Sequence, residues 1–263
     1  MKNLILRTVP SCPVAARAIL LPVVILAIGA CVPIYVPDPA VRYIAFGDST
    51  TADESSEGYP EILRGLLDEP SETFANEGVS GETTEEGLIR LEALLSQEAY
   101  PEAQVLLYWE GGNDITEFIE DYDPLLLSSP DDPEYPYSEE LVEQLDATQS
   151  NIESAVVLAR QAGLEVFVAT SYFLREDIGI CDALPLDLII PSQAQNANAY
   201  IELLNVRIRE AGTGWGATIA DVAAQDGSLR AEASNYADCN HLSGDGNAIA
   251  AGVFHDAIAG FVD

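Results

Sequence analysis

Arg42-Tyr43-Ile44-Ala45-Phe46-Gly47-Asp48-Ser49-Thr50-Thr51 is the stretch on which the reading of this chain turns. An apolar, β-prone run ends at a glycine, and a serine with polar neighbours follows. The pattern predicts a buried strand that breaks at a turn and presents Ser49 at its carboxyl end, where open α/β sheets bind their ligands. A serine after a strand is also an ordinary turn former or helix cap. The local sequence leaves both readings open.

Four more short β-prone runs follow, at Thr73–Asn76, Val105–Trp109, Glu165–Thr170 and Ala217–Ala220. Between and after them lie helical patterns at Pro60–Leu67, Thr84–Gln97, Ser138–Ala162, Ser192–Ala211 and Ser243–Phe261. Leu88, Leu91, Leu94 and Leu95 recur at three- and four-residue spacing, which marks a helix face turned to a core. Alternation of strand and helix is the signature of a parallel sheet covered on both faces. The expected fold is therefore α/β: a three-layer α/β/α sandwich with a five-stranded parallel sheet, in one domain over residues 41–263. Two segments exceed a minimal βα repeat, the Pro-rich acidic stretch Ile115–Tyr137 and the stretch Tyr172–Pro191. Both follow strands at their carboxyl ends, so they are candidate walls of a substrate pocket, with passive surface insertion as the alternative.

Near the far end, Asp238-Cys239-Asn240-His241 places a carboxylate three residues before one of only two histidines. Nucleophilic serine chemistry needs a base for the hydroxyl proton and an acid to fix the base's tautomer. Asp238 and His241 are such a pair. The other histidine, His255, falls in the C-terminal helical pattern and reads as structural. A metal role for His241 lacks a second histidine or a cysteine pair at ligand spacing, so no metal is expected. A conventional Gly-x-Ser-x-Gly nucleophile elbow does not occur in the sequence. Ser80 is a rival nucleophile that no neighbouring block favours.

Four blocks in order complete the pattern. They are Gly47-Asp48-Ser49; Asn76-Glu77-Gly78-Val79-Ser80-Gly81-Glu82-Thr83; Gly111-Gly112-Asn113-Asp114; and Asp238 to His241. Taken together the chain resembles the SGNH, or GDSL-type, serine hydrolases, most closely the bacterial thioesterase/lysophospholipase-like esterases among them. Thr50 stands where the name-giving leucine would be, and Leu242 where proline is common. The resemblance implies a flavodoxin-like sheet, Ser49 as nucleophile, His241 as base and Asp238 as its orienting acid. It further implies an oxyanion hole from the backbone amides of Ser49 and Gly81 and the side chain of Asn113. Glycine allows close backbone approach, and an asparagine amide offers donors without charge. Asp48 and Asp114 read as loop-ordering residues. No organic cofactor or metal is implied. The expected activity is hydrolysis of carboxylic esters (acyl esters, thioesters or lysolipids) through an acyl-enzyme. A carbohydrate acetylesterase and a non-catalytic acidic surface lipoprotein are the alternatives.

The first 30 residues read as a signal peptide: Lys2, Arg7 and Arg17 precede an apolar run, Ala18 to Ala30, too short for a bilayer span. Leu26-Ala27-Ile28-Gly29-Ala30-Cys31 resembles a lipobox, which makes Cys31 the expected lipidation site and residues 31–40, with three prolines, a stiff tether. The expected location is the cell envelope, anchored by lipid in the outer membrane of a diderm host, with plain secretion as the alternative. After Cys31 the chain carries 44 acidic residues against 8 arginines, a formal charge of −36. Such a field repels phosphate backbones and anionic headgroups, so no nucleic-acid partner is expected and a small neutral ester fits best. The acidic excess reads as a solvated surface suited to high salt, with a cation site as the weaker alternative. Cys181 and Cys239 are the only cysteines left in the body, and in an oxidising compartment they are a disulfide candidate.

Overall fold

The computed structural model describes residues 34–52, 57–177 and 189–262. Its elements run β1 (Tyr43–Gly47), α1 (Ser49–Ala52), α2 (Tyr59–Leu66), β2 (Phe74–Gly78), α3 (Thr84–Ser96), β3 (Val105–Trp109), α4 (Gly112–Tyr122), α5 (Ser138–Gln161), β4 (Glu165–Ala169), α6 (Pro191–Gly214), β5 (Thr218–Ala220), α7 (Asp226–Leu229) and α8 (Gly244–Val262). Every strand pair is parallel, in the order β2-β1-β3-β4-β5. This is the flavodoxin-like order, whose connections diverge at the carboxyl ends of β1 and β3 and open a crevice there.

Strand residues alternate between two apolar layers, as a two-residue side-chain period requires. Ile44 and Phe46 of β1, Leu106 and Tyr108 of β3, and Val166 and Val168 of β4 face one core, which α3, α4, α5 and α6 cover. Tyr43, Ala45, Val105, Leu107, Trp109, Phe167 and Ala169 face the other, under α2 and α8. Burial on both faces explains why β1 and β3 read as continuous apolar runs rather than as alternating ones.

Helix α3 starts at a capping box in which Glu86 returns to the backbone N–H of Thr83 at 3.3 Å. Helix α4 is an element that the helical patterns did not include: the first part of the stretch from Ile115 is helical, with Ile115, Phe118 and Ile119 buried and Glu117, Glu120 and Asp121 exposed. Beyond it, the Asp123 carboxylate accepts from the N–H groups of Leu127 and Ser128 at 3.0 Å each and shapes the remaining loop. No helix among the described residues is long and apolar enough to cross a membrane. The expectations for the signal peptide, for Cys31 and for Cys181 lie outside the described residues.

Candidate active site

Gly47 ends β1 in a position that only glycine can fill, because a Cβ there would stand 2.3 Å from the Trp109 carbonyl oxygen and 2.4 Å from Thr51 Oγ1. The close approach lets Gly47 pair with both neighbouring strands and turns the chain sharply into α1. Ser49 opens that helix, and the first N–H groups of a helix have no carbonyl partner within it. The Asp48 carboxylate, only 6% exposed, accepts from the Thr50 N–H at 2.9 Å and fixes the turn. Burial pushes the Asp48 carboxyl up to about 6, against the hydrogen bonds from Thr50 and the nearby His241, which favour its charge.

The loop after β2 carries Gly81 in the left-handed region, φ +81°, with open space around it. Its neighbour Glu82 accepts, through its carbonyl, a 2.8 Å hydrogen bond from Asn113 Nδ2. The same amide stands 3.4 Å from Asp48 Oδ2, near the limit of a hydrogen bond. One Asn113 proton is thus committed, and the other is held loosely by Asp48. Asn113 lies in the first turn of α4, where the next residue, Asp114, is buried and accepts from the Thr84 N–H at 2.9 Å and from the hydroxyls of Thr84 and Thr148. Asp114 therefore ties α3, α4 and α5 together, the ordering role expected of it.

Asp238 and His241 sit in a tight loop closed by a bridge between Tyr236 and Leu242 and by the bond from Ala237 N–H to the His241 carbonyl, 2.9 Å. Asp238 Oδ2 lies 2.7 Å from His241 Nδ1, while Oδ1 accepts from the N–H groups of Asn240 and His241, also at 2.7 Å. Burial opposes the charge of Asp238, yet these hydrogen bonds outweigh it and hold the carboxyl below the ordinary carboxylate range. An anionic acceptor on Nδ1 directs the other ring nitrogen to act as a base. Tyr172 braces this loop by donating its hydroxyl to the Asn240 carbonyl, and Tyr236 donates to the Phe173 carbonyl at 2.8 Å. Cys239 is fully buried and disulfide-bonded. His255, by contrast, lies on α8 with its side chain 39% exposed.

Two hollows meet at Ser49. The first, about 60 Å³, reaches between α4 and α6 and is lined by Trp109, Ile115, Ile119, Leu174, Ile201 and Leu204, with Asn113 also on its wall. The second, about 320 Å³ and open to solvent, holds His241, Ser80, Ala237, Leu242 and Asn247. Ser49 and Tyr172 border both, whereas Ser80 borders only the second. Both segments expected as pocket walls contribute: Ile115, Thr116 and Ile119 from one, Tyr172 and Leu174 from the other. Among the described residues no group of three His, Cys, Asp or Glu could hold a metal ion.

Charged residues that the sequence did not single out lie behind Gly81 and Asn113. Arg90 clasps the Glu82 carboxylate through Nε, 2.7 Å, and Nη2, and its guanidinium covers the Phe46 ring at 3.8 Å. Glu110, the residue after β3, is 1% exposed, and among the described residues neither of its carboxyl oxygens finds a hydrogen-bond donor. Burial first, then the charges of Asp48 and Glu82, drive Glu110 far above the ordinary carboxylate range. Its side chain packs against Gly87, where a Cβ would come within 2.9 Å of Glu110 Oε1. In sequence these residues look like the acidic surface around them, and the one faint signal is a charge set between Trp109 and Gly111.

Comparisons with known proteins agree with this geometry. The fold is shared with a GDSL-like lipase from Bacteroides thetaiotaomicron (18% identity, 86% of this chain and 92% of that one, TM-score 0.57). It is shared equally with an acetylxylan esterase from Geobacillus stearothermophilus (17%, 83% and 94%, TM-score 0.58) and a G-D-S-L family lipolytic protein from Veillonella parvula (15%, 84% and 98%, TM-score 0.56). No curated protein sequence matches the chain. The sequence profile of one family, however, matches residues 45–249, from the middle of β1 into α8, and so takes in Ser49, Gly81, Asn113, Asp238 and His241 together. The chain belongs to the GDSL-like lipase/acylhydrolase family, and its fold is that of the SGNH hydrolases.

Proposed function

We propose that the protein is a serine esterase that hydrolyses carboxylic esters through an acyl-enzyme on Ser49. The observation that carries this reading is that Ser49 and His241 border one hollow while Asp238 fixes His241 Nδ1 at 2.7 Å. Ser49 Oγ attacks the ester carbonyl and gives its proton to His241. The oxyanion so formed is met by the N–H groups of Ser49 and Gly81 and by the loosely held Asn113 proton. Collapse breaks the bond to the alkoxy oxygen, which takes the proton from His241 and departs as the alcohol. Water then gives a proton to His241, adds to the acyl carbon, and the acid leaves as Ser49 recovers its proton. Asp238 keeps the base in the right tautomer throughout.

Labelling of the folded protein with a fluorophosphonate tests the assignment. Wild type becomes labelled on Ser49 and hydrolyses a 4-nitrophenyl ester, while Ser49→Ala does neither, with turnover down by on the order of 10⁴-fold or more. Unlabelled wild type refutes it and favours a non-catalytic surface protein, and equal labelling of both refutes the assignment to Ser49 and points to another nucleophile. We also propose that the signal peptide and Cys31 deliver the domain to the cell envelope on a lipid anchor. A mature N-terminus at an acylated Cys31, lost in Cys31→Ala, is the expected mass-spectrometric result.

A further inference from the structure

We infer that the acyl group is short and that it is esterified to an uncharged, bulkier alcohol. This rests on Ser49 being the nucleophile.

The two hollows cannot exchange roles. The imidazole that receives the Ser49 proton must hand it to the departing oxygen, so the leaving alcohol lies on the His241 side. That side is the open hollow of about 320 Å³, which reaches the range of small-molecule sites. The substituent on the acyl carbon points the other way, past Asn113, into the apolar hollow of about 60 Å³. An engineered apolar cavity of about 150 Å³ admits benzene, and this hollow is less than half that size. The acyl side therefore takes a short substituent.

The walls do not give way easily. Ile115, Ile119 and Leu204 are at most 3% exposed and belong to the core beneath α4 and α6, where close packing resists expansion. Leu174, equally buried, closes the same cavity from the segment after β4. The alcohol side carries its own restriction. Among the described residues that line it there is no lysine or arginine, and the body of the chain has a formal charge of −36. A leaving group bearing phosphates meets repulsion and finds no counter-charge. Long-chain lysophospholipids fail on both counts, and phosphate-bearing acyl thioesters fail on the second. Esters of small acids on neutral, polar alcohols satisfy both.

The test compares kcat/KM of the full chain for 4-nitrophenyl acetate, butyrate and octanoate, with fluorophosphonate titration of Ser49 on the same preparation. Acetate or butyrate is expected to exceed octanoate by about 100-fold or more, and acetyl esters of neutral sugars to exceed acetyl-coenzyme A. Ile201→Ala, at a half-buried wall position, should raise the octanoate-to-acetate ratio at least about tenfold. Ala197→Val, which fills the same hollow, should lower the butyrate-to-acetate ratio. Octanoate hydrolysed as well as acetate by protein whose Ser49 titrates overturns this inference and leaves the serine assignment standing. An unchanged ratio in both variants overturns it as well. Absence of both labelling and hydrolysis refutes the serine assignment instead.

Discussion

Replacing Asp48 by asparagine should make the stability of the protein less dependent on pH, and the size of the effect follows from the burial of one carboxyl. In the unfolded chain this group titrates near its ordinary 3.8; in the fold it titrates at about 6. Below about pH 4 both states hold the proton and the group has no effect. Between those values unfolding releases a proton, so rising pH favours the unfolded chain. Above about pH 6 the full penalty is present, roughly two pH units at about 1.4 kcal/mol each, or about 3 kcal/mol. Asparagine does not titrate. Its other consequences, such as altered contacts with Thr50 and Asn113, add an offset that does not vary with pH. Urea unfolding of both proteins at intervals from pH 4.5 to 8 isolates the titrating part, because the difference between the two curves cancels the other acids. The variant should gain about 2 kcal/mol on wild type across that range. His241, Glu110 and Asp114 face the same carboxyl, so single values can move, but the sign cannot. Two curves parallel to within about 0.5 kcal/mol would refute the reasoning.

Asp238→Asn should keep the fold, seen as an unchanged circular dichroism spectrum, while kcat falls by on the order of 10⁴-fold because the imidazole loses its fixed tautomer. Asn113→Ala removes one donor to the oxyanion, and steady-state kinetics should show kcat lower by about 100- to 1000-fold with KM little changed. Glu110→Gln keeps the shape without a charge and should leave kcat within about threefold of wild type at pH 7; Glu110→Lys puts an unpaired charge in the same place, and loss of soluble folded protein is the expected result.

Much of the architecture could be read from residue patterns because the physics was local. β1 and β3 are buried on both faces, and their sequences are apolar throughout. The expected end of the second strand, Asn76, falls short of the observed Gly78, since Glu77-Gly78 looks like a turn until pairing with Phe46 and Gly47 extends it. Helix α4 was hidden because its buried stripe is three residues long and lies among Glu117, Glu120 and Asp121. At the site, Asp238 and His241 declared themselves by spacing, while Gly81 and Asn113 needed the resemblance to a family. The roles of Glu82 and Arg90 were not legible, and Glu110 left only the faint signal of a charge between Trp109 and Gly111. A carboxylate in a strongly acidic chain reads as surface, and only the meeting of β3 with α3 at Gly87 makes Glu110 a buried one. The volumes of the two hollows are likewise a property of helix packing, which no single segment encodes.

The loop that holds Asp238 and His241 leads directly into α8, which packs with α2 over the second core, whereas Ser49 belongs to the first strand-turn of the chain. The two halves of the proposed chemistry are therefore made at opposite ends of synthesis. A chain that has completed all five strands, the last ending at Ala220, still lacks His241. On the proposed mechanism, a chain cut off before that loop carries the nucleophile without its base and should not hydrolyse esters.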